Sequence, residues 1–153
     1  KMREIKRKPL EESYTNFVLW VDDKTVEGRT IWNKLEKIRK TSIMVQLLST
    51  QELENWLVRH KKTLMDPLVN ISMITNMTRM EGEVKNEYAG VDAVKVMRKH
   101  LPPSKHENIF LYVGNRKMAI EKLDKNGIEE CETIKISSAP SRLREFLTNE
   151  DFQ

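Results

Sequence analysis

Five short apolar runs, each cut off by polar or turn-forming residues and alternating with segments of helical character, constrain the fold of this chain more than any other feature. A run that is apolar throughout suits a strand buried on both faces, and strands that alternate with helices give a parallel sheet covered on both sides. Residues 16–21 (NFVLWV) read as the first strand and 42–48 (SIMVQLL) as the second. Residues 68–75 (LVNISMIT) read as the third, central strand, 108–113 (NIFLYV) as the fourth and 132–136 (ETIKI) as a fifth strand at an edge. The predicted fold class is therefore three-layer α/β/α, a five-stranded parallel doubly wound sheet of the flavodoxin-like kind.

The connecting segments carry helix signals. Ile31, Leu35 and Ile38 form one apolar stripe, with Trp32 off it. Ser49 and Glu52 make a capping box for a helix over 50–60 that buries Leu53, Trp56 and Leu57. Val91, Val94 and Met97 form the stripe of a helix that opens at Gly90 and stops at Pro102-Pro103. A helix over 115–126 ends at Gly127, and Pro140 opens a last helix that buries Leu143, Phe146 and Leu147. Residues 76–89 hold charge, Gly82 and no period, so they read as a long loop. The layout is a partly disordered basic arm over 1–15, one domain over 16–149 and a frayed end over 150–153.

Charge and cysteine usage narrow the function classes. The 27 Lys and Arg are interspersed with 23 Asp and Glu for a net charge of +4, the pattern of a solvated surface. That pattern weighs against a nucleic-acid partner, and the one dense basic run, KMREIKRK over 1–8, keeps a nucleic-acid arm as an alternative. No apolar run approaches the ~20 residues a spanning helix needs, so a membrane is excluded. Cys131 is alone, which implies a reducing, cytoplasmic setting and a small core residue. His60, His100 and His106 are far apart and read as surface residues. Zinc spacing, a phosphate-binding glycine loop and a nucleophile elbow are all missing.

In doubly wound sheets the functional crevice lies beyond the carboxyl ends of the strands. Here those ends are Asp22-Asp23, Asn76-Met77, Gly114-Asn115 and Ser137-Ser138. Two adjacent carboxylates repel and need a cationic partner, for which Mg²⁺ is the best fit; the alternative is that Asp23 caps the following turn.

The segments FVLWVDD (17–23), ITNMTR (74–79), GVDAVKVMR (90–98) and TIKISSAPSRL (133–143), in that order over about nine-tenths of the chain, resemble the receiver domains of two-component signalling. The resemblance is to an atypical branch whose first strand ends in VLWVDD. It implies that Asp22 and Asp23 match the acidic, Mg²⁺-holding pair and that Asn76 stands in the place of the phosphoacceptor aspartate. Val113 or Gly114 stands where a hydroxyl is expected, and Ser137 stands where a lysine is expected, with Lys135 two residues early.

An amide has no carboxylate oxygen to attack a phosphoryl donor, so an acyl phosphate cannot form at Asn76. The expected function is a phosphorylation-incompetent, non-catalytic pseudo-receiver that binds a protein partner or neighbouring domains, with a homodimer as one form. By the resemblance its interaction face includes Lys117, Glu121, Lys135 and Arg142. No cofactor is expected beyond a weak Mg²⁺ site on Asp22 and Asp23, with the Asn76 carbonyl as a third ligand. The alternative is a Mg²⁺-dependent nucleotide- or phosphate-directed enzyme with Asp22 or Asp23 and Glu81 as acid and base.

Overall fold

The computed structural model describes residues 14–24, 42–105, 108–131 and 133–148. The stripe of Ile31, Leu35 and Ile38, with Trp32, lies outside these residues, as do the basic run over 1–8, His106 and the end over 150–153.

Five strands form one parallel sheet: β1 (Thr15–Val21), β2 (Ser42–Leu47), β3 (Val69–Thr75), β6 (Ile109–Tyr112) and β7 (Ile134–Ser137), in the order β2-β1-β3-β6-β7. Taken in chain order, the strands of this sheet run second, first, third, fourth, fifth, which is the flavodoxin-like doubly wound arrangement. The central place of β3 and the edge place of β7 are as expected. The fifth strand starts two residues later than its β-favouring letters suggest, because pairing with β6 begins at Ile109 opposite Ile134.

Side chains alternate between two cores, as a pleated strand requires. From β1, Leu19 and Val21 enter the larger core, with Met73 of β3, Leu111 of β6 and Ile136 of β7. Val18 and Trp20 enter the smaller one with Ile74 and Phe110. The larger core is roofed by helices α1 (Thr50–Arg59), α3 (Ala89–His100) and α4 (Arg116–Asp124) through Leu53, Leu57, Val94, Met97 and Leu123. The smaller core is covered by α5 (Pro140–Thr148) through Leu143, Phe146 and Leu147, with Phe110 and Phe146 in ring contact at 5.2 Å. A short helix, α2 (Lys61–Leu64), adds Leu64 to the larger core.

The caps follow local chemistry. Ser49 Oγ accepts the Glu52 N–H at 3.1 Å, and Glu52 reaches back to the Leu48 N–H. Asn115 caps α4 by accepting the Met118 N–H at 3.0 Å, and Gly127 follows the helix at φ 72°.

Four expectations are corrected. Residues 76–89 are not an unstructured loop: Arg79–Glu81 (β4) and Val84–Asn86 (β5) pair as an antiparallel hairpin. Gly82 sits at φ 71° in the first of its two loop positions, which is where a type II′ turn needs glycine. Cys131 is exposed rather than core, with Sγ 3.1 Å from Thr133 Oγ1. Trp56 is half-buried, edge-on to Phe17, rather than buried. His100 is mostly covered and meets Glu54 at 2.7 Å, so it is no free surface residue.

Candidate functional site: an acidic crevice closed from within

The carboxyl ends of β1 and β3 lie side by side in the sheet, with Val21 opposite Thr75. The order reverses at this point, so the next residues, Asp22 and Asn76, meet at the switch point of the sheet. Asp22, Asn76, Met77, Gly114, Asn115 and Ser138 all line one cavity of about 640 Å³. Lys24, Thr78, Tyr112 and Lys122 add polar groups to its wall.

Two of the expected crevice residues sit elsewhere. Asp23 is turned to the hairpin, where its Oδ2 accepts the Met80 N–H at 3.0 Å. Ser137 borders a separate groove of about 480 Å³ along the outer edge of β7. Strand alternation separates Ser137 from Ser138, which points the other way into the crevice.

Asn76 is the bridge of the acidic half. Its Nδ2 donates to Asp22 Oδ1 at 3.3 Å, to Asp23 Oδ1 at 3.4 Å and to the Thr78 carbonyl at 3.1 Å. Its Oδ1 accepts from Arg79 Nη1 at 2.7 Å. Carboxylates on one side and a guanidinium on the other fix the amide orientation, since the flipped amide would set oxygen against oxygen and N–H against N–H.

Arg79 is the residue that sequence reasoning missed. It is only 2% exposed. Its Nε meets Glu81 Oε2 at 2.9 Å, and its Nη2 donates to Thr50 Oγ1 at 2.9 Å. Its Nη1 also donates to Thr75 Oγ1 at 2.9 Å, and longer contacts reach the carbonyls of Val21 and Ala89. One side chain thereby ties β1, β3, the hairpin and the first turns of α1 and α3 together. The signal was the arginine in ITNMTR, two residues beyond Met77 in a segment otherwise bound for the core. On composition alone an arginine reads as surface, because its burial requires partners that arrive from distant segments.

Glu81 is drawn into the same network. Burial pushes its pKa up, but hydrogen bonds from the Thr50 hydroxyl and N–H, from Asn86 and from Arg79 outweigh this and hold it at about 2. Glu81 is engaged by Thr50, Asn86 and Arg79 and does not line the cavity beside Asp22, the position that the alternative pairing of Glu81 with Asp22 or Asp23 as acid and base requires. Asp22 moves the other way. Burial lifts it to about 6, reinforced by the charge of Asp23 and opposed by the Lys24 N–H. Asp23 stays below its usual value: partial burial would raise it, and donation from the Met80 N–H, with Asn76 and Asp22 beside it, prevails.

The residues do not form a good Mg²⁺ site. Mg²⁺ demands near-octahedral oxygen ligation. Asp22 Oδ1 and Asp23 Oδ1 converge on an N–H donor, and the Asn76 oxygen expected as a third ligand faces Arg79 instead. Among the described residues no third carboxylate, imidazole or thiolate joins the pair.

The backbone at the tip of β3 is fixed by Gly90. Its N–H donates to the Met77 carbonyl at 2.9 Å, and a Cβ placed there would lie 2.7 Å from the Asn76 carbonyl oxygen. On the opposite side of the crevice the two residues that follow β6 carry no hydroxyl. Gly114 has open space where a side chain would sit, and Val113 is buried without a hydroxyl. Lys122 reaches over from α4 to the Glu87 carbonyl at 2.8 Å and stands 5.3 Å from the Tyr88 ring.

Of the expected interaction face, Lys135 and Arg142 line the β7 groove together, around Phe110 and Phe146. Lys117 and Glu121 are exposed on α4 and do not line it. The groove also holds Arg116 and Glu130, which ion-pair with each other. Arg116 donates to the Ile136 carbonyl at 3.0 Å, and Glu130 accepts the Ile136 N–H at 3.1 Å.

No protein-family model and no curated protein sequence matches the chain. Solved structures do. The response regulator RcsB of Salmonella enterica serovar Typhimurium, bound to promoter rprA in the presence of the phosphomimetic BeF3⁻, is similar at 22% identity. The match covers 90% of this chain and 98% of that one, with a TM-score of 0.53. A second RcsB structure, described for conformational dynamism in DNA interaction, is similar at 21% identity over 88% of this chain and 60% of that one, with a TM-score of 0.53. The isolated receiver domain of RcsB is similar at 21% identity over 84% and 83% of the two chains, with a TM-score of 0.50. At these identities the likeness establishes the receiver-like fold. Among the described residues no helix is long and apolar enough to cross a membrane.

Proposed function

We propose that the chain is a receiver-like signalling module that works by binding protein and takes up no phosphoryl group. The observation that carries this reading is Asn76. It stands at the tip of the central strand beside the acidic pair, and its amide is engaged by Asp22, Asp23, Thr78 and Arg79. No carboxylate oxygen is available there to form a mixed anhydride. The end of β6 supports the same reading, since Val113 and Gly114 offer no hydroxyl to a bound phosphoryl group.

The protein partner, whether a neighbouring domain or a second copy, docks on the β7 side, where Lys135 and Arg142 flank the rings of Phe110 and Phe146. A charged rim over a buried aromatic floor fits a protein interface.

The test is incubation with acetyl phosphate, and separately with BeF3⁻, in the presence of Mg²⁺, followed by NMR and intact mass. The expected result is no phosphoryl mass gain and no cluster of shifted amides around Asn76. Covalent phosphate, or widespread shifts spreading from Asn76, overturns the reading.

A further inference from the structure

We propose that the acidic crevice carries its own cation: the Arg79 guanidinium, relayed by the Asn76 amide to Asp22 and Asp23, occupies the role that a divalent metal fills in an acidic pocket, and thereby holds the β4–β5 hairpin shut on the sheet without any ligand. The inference deepens the phosphorylation-independent reading above and rests on it for the identity of the crevice.

The geometry supports it in three ways. First, the acidic pair already faces a donor that is backed by a positive charge. Two adjacent carboxylates at the end of a buried strand need a positive partner, and Asn76 hands them two N–H contacts while its carbonyl leans on a fully charged guanidinium. Second, the cation is committed. Arg79 makes close contacts with Glu81, Thr50, Thr75 and Asn76 together, so its five N–H donors are held in one geometry that a Lys could not reproduce. Third, the hairpin is fastened to this centre at both strands. Asp23 takes the Met80 N–H on β4, while Asn86 of β5 donates to Glu81 at 3.2 Å and to Asp92 of α3 at 2.9 Å. A metal arriving from solvent has to displace the Asn76 N–H and then sit beside a buried positive charge, and both steps oppose binding.

Across the same crevice Lys122, the second largely buried cation among the described residues, is spent on the Glu87 carbonyl and the Tyr88 ring, so it leaves the acids to Arg79.

The test is thermal unfolding of the whole chain with and without millimolar MgCl2, at ionic strength matched with NaCl. Wild type is expected to show no Mg²⁺-specific shift in Tm. Asn76→Asp removes the N–H relay and adds a third carboxylate, so it is expected to gain a saturable rise of roughly 4 °C at tenfold excess over Kd. Manganese in place of magnesium should broaden the NMR signals of Asp22, Asp23 and residue 76 in the variant and leave them sharp in wild type. Arg79→Lys keeps the charge but not the fork; it is expected to lower Tm and to gain a smaller Mg²⁺ response. Equal Mg²⁺ shifts in wild type and Asn76→Asp overturn the internal cation. Such a result leaves the proposed function standing if no phosphate is incorporated, whereas phosphate incorporation without a wild-type Mg²⁺ site sinks the proposed function alone.

Discussion

Two arginine–glutamate pairs, one at the ends of the central strands and one at the edge of this sheet, show how burial changes the worth of one chemistry. Arg79 and Glu81 are 0% and 20% exposed at the side chain, and the pair organises five structural elements. Arg116 and Glu130 are 50% and 31% exposed and clasp a single residue of the edge strand, Ile136. In the crevice, removing one partner strands the other charge away from water. At the edge, water takes over for whichever partner is lost. The inner pair is therefore architecture. The outer pair is a guard that occupies the N–H and carbonyl of Ile136, where a foreign strand would otherwise hydrogen-bond.

The largest expected effect tests the inner pair directly. Arg79→Ala should cost about 3–5 kcal/mol in urea unfolding, because Glu81 loses its ion-pair partner and Asp22 and Asp23 lose the charge behind Asn76. A cost no greater than that of Arg116→Ala would erase the distinction between the two sites.

Next in size is Gly90→Ala. The added Cβ lands 2.7 Å from the Asn76 carbonyl oxygen and 3.0 Å from Leu111 Cδ2, so the tip of β3 or the start of α3 must shift. A loss of about 1–3 kcal/mol is expected, with NMR shifts concentrated at Asn76 and the hairpin. Shifts confined to α3 would show that the relay does not depend on this packing.

The pH dependence sharpens the comparison, since among the described residues the strongly displaced carboxylates lie at the inner site. Asp22 titrates at about 6 when folded and at 3.8 when free, so the folded state binds its proton more tightly. Its stabilising share is complete below pH 3.8 and disappears as pH rises through about 6. Glu81 runs in the opposite sense: held at about 2 against 4.5, it stabilises fully above pH 4.5 and loses that share as pH falls toward 2. Denaturant midpoints should therefore fall between pH 4.5 and 6.5 in wild type. Asp22→Asn should flatten that slope while leaving the acid limb intact. An unchanged slope would assign the effect to another group.

The smallest expected effect on stability belongs to the edge. Arg116→Ala and Glu130→Ala should each cost under about 1 kcal/mol. Their signature is association: with the Ile136 backbone freed, concentration-dependent dimers or larger species should appear in sedimentation at values where wild type is monodisperse. A variant that remains as dispersed as wild type would mean that the pair does not guard the edge.

The five strands, their order of use and the place of the crevice were legible because continuous apolar runs report burial on both faces without help from distant residues. Asp22 and Asn76 could be placed at one crevice for the same reason: both follow directly on such runs. The hairpin was not legible. Its strands are three residues each, too short for any period, and they are held by Arg79, Glu81 and Asn86 rather than by an apolar face of their own.

Sequence by itself thus determined the parallel sheet, the helices that roof the larger core and the presence of an amide, Asn76, directly after the central strand. Only the tertiary structure decided what that amide does. Whether Asn76 presents oxygen or N–H to the acids depends on a guanidinium whose own burial depends on Thr50, Thr75 and Glu81. Those partners converge from separate stretches of chain, and no local pattern encodes their meeting, because the free energy that buries a charge is a property of all its partners at once.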